Sequence, residues 1–381
     1  VNLSPRIIKA APALAEPDIF RTIQALPGVL TSNEASTGLV IRGGNTDQNL
    51  ILLDGITVYN PTHFGGIFSN FLVDAVKEAE LIKGGFNAEY GGRLSAVLNV
   101  LSREGNRNYF QGKTSISLLS AQTTLEGPFY NGAWLLSARR TYFDYLLPKI
   151  LPAETAEKIP PYYFYDLQGH VFSDLNEKDR ISVSIYRGID DLIFDNLGLT
   201  ADWGNNTYSL SFRRVFNEKL VGNFLVASSE FFTNFNLGGD DGLNSENKIL
   251  DQTLSANLTF FQSSDLEWRT GAQIKQLDFK YLNTFLEDTS FYIGENPIEA
   301  GFYTKLKWKG FSRFIIEPGL RYNYYSVYSS TPYIDLRLGA KYLLTDDRYI
   351  NIALGNYHQF IQTVQDDYNP TILDSWLAVD N

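Results

Sequence analysis

The chain has 381 residues and a formal charge of −11, which argues against the basic face that nucleic-acid binding requires. It has no Cys and 3 His, so disulfides and thiolate centres are excluded and a histidine-rich metal site is disfavoured. Its 26 Phe, 23 Tyr and 5 Trp suit surfaces that are apolar on one side and wet at the rim.

The sequence contains no Met, so the chain is expected to begin inside a longer precursor. No signal peptide is visible, and no apolar run reaches the length of a transmembrane helix. Pro17 opens a helix in which Ile19, Phe20, Ile23 and Leu26 recur at helical spacing until Pro27-Gly28 stops it. Val40-Ile41 and residues 50–53 are apolar runs ending at the polar turns Arg42-Gly43-Gly44 and Asp54-Gly55. They read as buried strands that carry both turns to one end of a small domain. Asp54 beside Gly55 reads as a turn former rather than an acid catalyst. Residues 73–79 read as a short helix, 80–83 and 96–101 as strands. Residues 1–105 are thus expected to form a compact α+β domain.

From residue 110 the pattern changes to period-2 alternation. Tyr208, Leu210 and Phe212 alternate with Thr207, Ser209, Ser211 and Arg213, and Ile334, Leu336, Leu338 and Ala340 oppose Asp335, Arg337 and Lys341. Strands are expected over 112–119, 121–127, 134–143, 163–175, 180–189, 206–216, 219–232, 250–261, 265–277, 300–309, 313–324, 332–343 and 348–358. Short polar turns alternate with long connections at 145–162, 188–205, 233–249, 278–299 and 325–331. One end of the sheet is therefore tightly sewn and the other carries bulk, the pattern of a transmembrane antiparallel β-barrel. A large soluble sandwich or propeller, with carbohydrate-binding or hydrolytic function, is the alternative.

PDIFRTIQALPGV, GLVIRGGNTDQNLILLDGITVYN, ELIKGGFNAEYGGRLSAVLNV and SARRTYFD occur in one order over residues 3–145. Together they resemble the plug and first barrel strands of TonB-dependent outer-membrane receptors. The nearest branch carries a carboxypeptidase-regulatory-like N-terminal domain and works beside a surface lipoprotein. The resemblance implies an α+β plug (1–105) inside an antiparallel barrel that begins at 110–381 and totals about 22 strands when complete. It also implies a location in the outer membrane of a Gram-negative bacterium and, as partners, outer-membrane lipid, a TonB-type energy-coupling protein and a surface lipoprotein. The implied activity is uptake of a glycan, peptide or metal chelate, with no enzymatic step and no cofactor. A non-transporting scaffold in a secretion or assembly complex is the alternative.

By the same resemblance the plug loops at 31–37 and 59–69 face outward, giving Asn33, Tyr59, Asn60, His63, Phe64 and Phe68 as candidate ligand contacts. Phe64 and Phe68 equally suit packing against the wall, and a lone His is usually structural. Arg42 and Arg93, beside glycine turns, are expected to pair with wall acids among Asp166, Glu267, Glu317 and Asp335, forming a latch. The loop at 238–247 lacks EF-hand spacing and reads as solvated, and Asp190-Asp191 is placed in a loop without catalytic geometry. The energy-coupling segment, the regulatory-like domain and the last barrel strands are absent from the sequence. An odd strand count cannot close antiparallel, so pairing of 112–119 with 348–358 is not expected. A long outer loop is expected from Gln359, presenting Tyr368 and Trp376.

Overall fold

The computed structural model describes residues 1–12, 16–31, 38–156, 159, 161–239, 242–286, 288–310, 313–327, 332–345, 347–364 and 375–378. The chain starts with β1 (Asn2–Leu3), α1 (Pro5–Ala10) and α2 (Ile19–Gln24). Asp18, rather than Pro17, opens α2: its carboxylate accepts from the Arg21 amide at 3.0 Å, satisfying a donor the first helical turn leaves unpaired.

Strands β2 (Val29–Thr31) and β3 (Leu39–Ile41) form a hairpin, followed by β4 (Asn49–Leu53), β5 (Ile56–Thr57), β6 (Thr62–His63), β7 (Phe68–Ser69), β8 (Val76–Ile82) and β9 (Ala96–Ser102). The small sheet runs β1-β8-β9-β4-β5, with β4 and β9 parallel. Asp54 and Gly55 turn β4 into β5 at positive φ, 53° and 84°, and Ser102 donates to the Asp54 carboxylate through its amide (2.8 Å) and hydroxyl (2.6 Å). Asp54 is a turn former.

The helix expected at 73–79 is instead a single 3₁₀ turn, Val73–Ala75, leading directly into β8. A register shift between Val76 and Glu78 inserts an extra residue. Val76 and Ala79 therefore both point into the core although three apart. The bulge produced the helical spacing.

The large sheet comprises β10 (Gln111–Ile116), β11 (Ser120–Phe129), β12 (Gly132–Thr141), β13 (Tyr162–Asp174), β14 (Asp179–Phe194), β15 (Leu199–Asn217), β16 (Leu220–Leu237), β17 (Leu243–Phe261), β18 (Leu266–Phe285), β19 (Asp288–Glu295), β20 (Ile298–Gly310), β21 (Phe314–Tyr325), β22 (Tyr333–Leu343) and β23 (Tyr349–Gly355). All pairings within it are antiparallel and join sequence neighbours, except that β20 returns to β18 and β19 folds back on the outer end of β18. Every expected strand is present, and β19 is additional. The helix α3 (Phe143–Ile150) lies in the connection from β12 to β13. Among the described residues β10 and β23 do not pair, so the sheet is unclosed.

Two expectations about loops need correction. Residues 188–205, 233–249 and 278–299 are largely strand, because the hairpins continue outward: β17 has 19 residues and β18 has 20. A strand of that length, tilted in a barrel wall, rises well past the apolar band of about 25 Å. The described residues after β23 are not an exposed outer loop either. They turn inward as β24 (Ile361–Val364) paired with β25 (Ser375–Ala378), and Phe360, Ile361 and Trp376 are buried. Tyr368 lies outside the described residues.

The alternating faces are as the sequence indicates. Leu210, Leu254, Ile274, Phe302 and Leu336 are exposed outward, while Asp166, Thr207, Asp335 and Arg337 are buried on the inner face. A spin label at position 210 is expected to be quenched by a lipid-soluble reagent and one at 211 to be protected. The reverse pattern would mean a one-residue slip, which exchanges the faces.

Candidate functional site

The α+β domain sits against the inner face of the sheet, and the charged contacts between them are the structure's chemically distinctive feature. The first contact is built on the 59–69 loop. β6 and β7 pair through Thr62–Ser69 and His63–Phe68, and Phe64, Gly65 and Gly66 cross between them at positive φ. This hairpin drives His63 into the wall, where it is fully buried. Its Nε2 lies 2.9 Å from Asp166 Oδ1 and its Nδ1 2.6 Å from Asp190 Oδ2. The ring stacks on Phe164 at 4.1 Å and 9°.

Each carboxylate has further partners. Asp166 accepts from Arg139 Nε at 2.8 Å and from the Tyr186 hydroxyl at 2.7 Å. Asp190 accepts from the Tyr162 hydroxyl and, at 3.0 Å, from the Phe64 amide. Arg139 continues into the plug, reaching Glu16 Oε1 at 2.9 Å and the Ser69 carbonyl at 2.9 Å. Gly188 makes the cluster possible, because a Cβ there would overlap the Tyr186 hydroxyl. Two ring nitrogens facing two carboxylates require the imidazolium, the only form with two N–H donors. Burial opposes that charge, but Asp166 and Asp190 outweigh burial and raise the His63 pKa to about 9.

The second contact is the loop between β8 and β9. Here the wall supplies the cations. Glu89 lies 3.0 Å from Lys305 and 3.4 Å from Arg269; burial opposes its charge, yet these two cations hold its carboxyl below the usual range. Arg337 donates to the carbonyls of Asn87 (2.8 Å) and Tyr90 (2.6 Å) while pairing with Asp335 at 2.9 Å. Arg321 reaches the Glu89 carbonyl at 3.3 Å. Gly91 is required for this approach, since a Cβ there would overlap the Arg321 guanidinium.

The expected latch residues behave differently. Arg42 is exposed and, among the described residues, neither it nor Arg93 has a carboxylate partner. Arg93 is buried and lies 5.2 Å over the Trp376 ring. Of the expected wall acids Asp166 meets the plug, whereas Glu267, Glu317 and Asp335 pair with the wall residues Arg269, Lys307 and Arg337. The polarity expected for Arg42 and Arg93 thus holds at one contact, through a different residue, and is reversed at the other. A plug histidine meets wall acids, and plug carboxylates and carbonyls meet wall cations.

Among the candidate ligand contacts, Asn33 lies outside the described residues. Tyr59 is buried and donates to Asp251 Oδ2 at 2.8 Å, and the Asn60 carbonyl accepts from Asn205 at 3.4 Å. Phe68 is buried with Leu119, Tyr162, Phe164 and Trp203. These residues pack the plug to the wall, as does His63. Phe64 alone of the set is an exposed ring, 44% accessible, 4.6 Å from Tyr162. Sequence reasoning missed Asp190, Arg139 and Glu16. The signal for Asp190 was present: Tyr186, Gly188 and Asp190 continue the inward alternation of β14.

This arrangement defines a plug held in the lumen of an antiparallel membrane barrel wall. Residues 12–97 match the model of the TonB-dependent Receptor Plug Domain. The TonB-dependent transporter Oar of Myxococcus xanthus is 30% identical over 135 residues, covering 33% of this chain and 12% of that protein. Among solved structures, the siderophore receptor PirA of Pseudomonas aeruginosa superposes with a TM-score of 0.69 at 15% identity, covering 100% of this chain and 68% of that one. The outer membrane transporter YddB of Escherichia coli gives 0.66 at 11% identity, covering 94% and 61%. The chain therefore spans about an eighth of the curated relative and roughly two thirds of these structures. Residues 12–97 thus carry the plug domain of TonB-dependent receptors, and the chain as a whole has the fold of outer-membrane receptors of this kind.

Proposed function

We propose that the protein is an energy-coupled receptor that imports a scarce nutrient, with the 1–105 domain as its movable plug. The observation that carries this reading is the nature of the plug–wall contact. Its charged contacts fall in separate clusters, at His63, Glu89 and Arg337, set among small apolar patches such as those of Phe68 and Tyr59. Such clusters hold firmly yet can be broken one at a time when a TonB-type partner pulls. The branch resemblance adds a surface lipoprotein as partner at the outer end. The nutrient is a glycan, a peptide or a metal chelate.

The absence of Cys permits a clean test. Asn60→Cys with Asn205→Cys joins plug to wall where these residues already touch. Host cells relying on this receptor are grown on limiting iron, on peptides as nitrogen source and on glycans as carbon source. Deletion of the gene and the oxidised pair are expected to impair growth on the same nutrient, and a reductant is expected to restore the pair. If deletion impairs growth on none of the three but abolishes display of a surface protein, the scaffold function stands instead.

A further inference from the structure

Beside Phe64 the outer end of the wall encloses a cavity of about 450 Å³, lined chiefly by Phe64, Phe143, Leu147, Tyr162, Leu192 and Phe194. Phe64 holds a positive φ of 52°, a conformation that bulky residues adopt only when the surroundings impose it. Asp190 imposes it, accepting from the Phe64 amide at 3.0 Å. The same carboxylate holds the Tyr162 hydroxyl, so one buried group fixes both rings against the cavity. Among the described residues no Lys or Arg lines it, and the acids in its lining are Asp144 and Asp195. Asp144 is neutralised by Arg140 at 2.7 Å. Asp195, next in sequence to the lining residue Phe194, has no ion pair among the described residues.

We infer that this cavity is a ligand subsite for an aromatic ring carried beside an amine, the chemistry of the N-terminal aromatic residue of a short peptide. The ring enters between Phe64, Tyr162 and Leu147, where offset or edge contacts with two fixed rings favour it. The amine meets Asp195 at the rim. Among the described lining residues a carboxylate-rich or catecholate ligand meets no cation and the acid Asp195, so the polar attraction of the site is kept for the amine. The inference deepens the proposed uptake function by naming the ligand class, and it rests on that reading only for its biological use.

The test is calorimetric titration of the purified receptor in detergent micelles with phenylalanyl-phenylalanine amide and, separately, with glutamyl-glutamate. Saturable binding of the first alone is expected. Phe64→Ala and Leu147→Ser are each expected to weaken it about tenfold, by loss of ring and apolar contacts. Asp195→Asn is expected to weaken the amide while leaving binding of its N-acetylated form unchanged. Leu147 lies on a surface helix, so its variant keeps a folded wall even if the plug variant does not. Absence of saturable binding, equal binding of the acidic dipeptide, or insensitivity to Leu147→Ser together with Asp195→Asn would overturn the inference. Peptide binding with no growth phenotype for the locked plug would overturn the uptake reading and leave the subsite standing. A growth phenotype with no peptide binding would do the opposite.

Discussion

Asp166→Ala is expected to release the 59–69 loop from the wall while the barrel strands stay paired. Asp166 is 1% exposed and takes hydrogen bonds from His63, Arg139 and Tyr186. Alanine leaves two cations buried beside a missing partner, and breaking a buried pair in this way costs roughly 3–5 kcal/mol. The strand ladders of β13 do not depend on that side chain, so the loss falls on the plug. Amide exchange across residues 59–69 should accelerate by two to three orders of magnitude, on the order of what that energy allows. Unchanged exchange would show that the cluster contributes nothing to holding the plug.

The same cluster sets a pH dependence with a definite sign. The His63 pKa is raised from 6.5 to about 9 in the folded state. The stabilisation from its protonation is therefore complete below about pH 6.5, declines above it and is lost as pH passes about 9. The full amount is roughly 3 kcal/mol on the linkage relation. Loop exchange should accelerate between those two values in the native protein. In His63→Gln, which has no titrating ring, the pH dependence over that window should disappear once intrinsic exchange rates are divided out. A native profile flat from pH 6.5 to 9 would mean the imidazolium is not the form that bridges the two acids.

The barrel strands were legible because membrane and lumen impose opposite polarities on alternate residues. Leu210 and Ser209 differ in exposure for that reason, and a two-residue period marks a strand wetted on one face. The plug was legible as motifs, but β8 was misread. A bulge gave Val76 and Ala79 a three-residue spacing, and no one-dimensional pattern separates that from a helical turn. Site residues were the least legible. His63 was flagged as a candidate ligand contact, but its partners lie 103 and 127 residues away, and only barrel curvature brings them to it. Arg42 and Arg93 drew attention because glycines flank them. The glycine two residues before Arg93 serves another purpose, since Gly91 makes room for the wall's Arg321. The outer hairpins were taken for loops because hydrophobic alternation fades above the membrane, where Asp202, Asn234 and Glu246 line both strands without a lipid face to mark them. Backbone pairing there continues between Asp202 and Asn234 and between Asn234 and Glu246 all the same.

Arg337→Ala is expected to free the loop between β8 and β9, and Arg42→Ala to leave it unchanged. Arg337 is 5% exposed and its guanidinium joins Asp335 to the carbonyls of Asn87 and Tyr90. It also lies over the rings of Phe86, at 4.9 Å, and Tyr357, at 4.3 Å. Charge-assisted hydrogen bonds of this kind contribute about 1.5–3 kcal/mol each, so losing two of them should expose residues 84–92 to protease. Lysine restores the charge but not the planar fork that serves a carboxylate and two carbonyls together, so Arg337→Lys should recover only part of the protection. Asp335 keeps Asn323 and His358 as partners, which limits damage to the wall itself. The His63 cluster lies on β12–β14 and Arg337 on β22, seven strand spacings apart along the sheet, roughly 30 Å around the wall. They share no partner. Combining Arg337→Ala with Asp166→Ala should therefore add within about 0.5 kcal/mol, measured as separate exchange free energies for the two loops. Strong coupling between them would show that the plug leaves the wall as one rigid piece, and protection of residues 84–92 unchanged in Arg337→Ala would remove this contact from the latch.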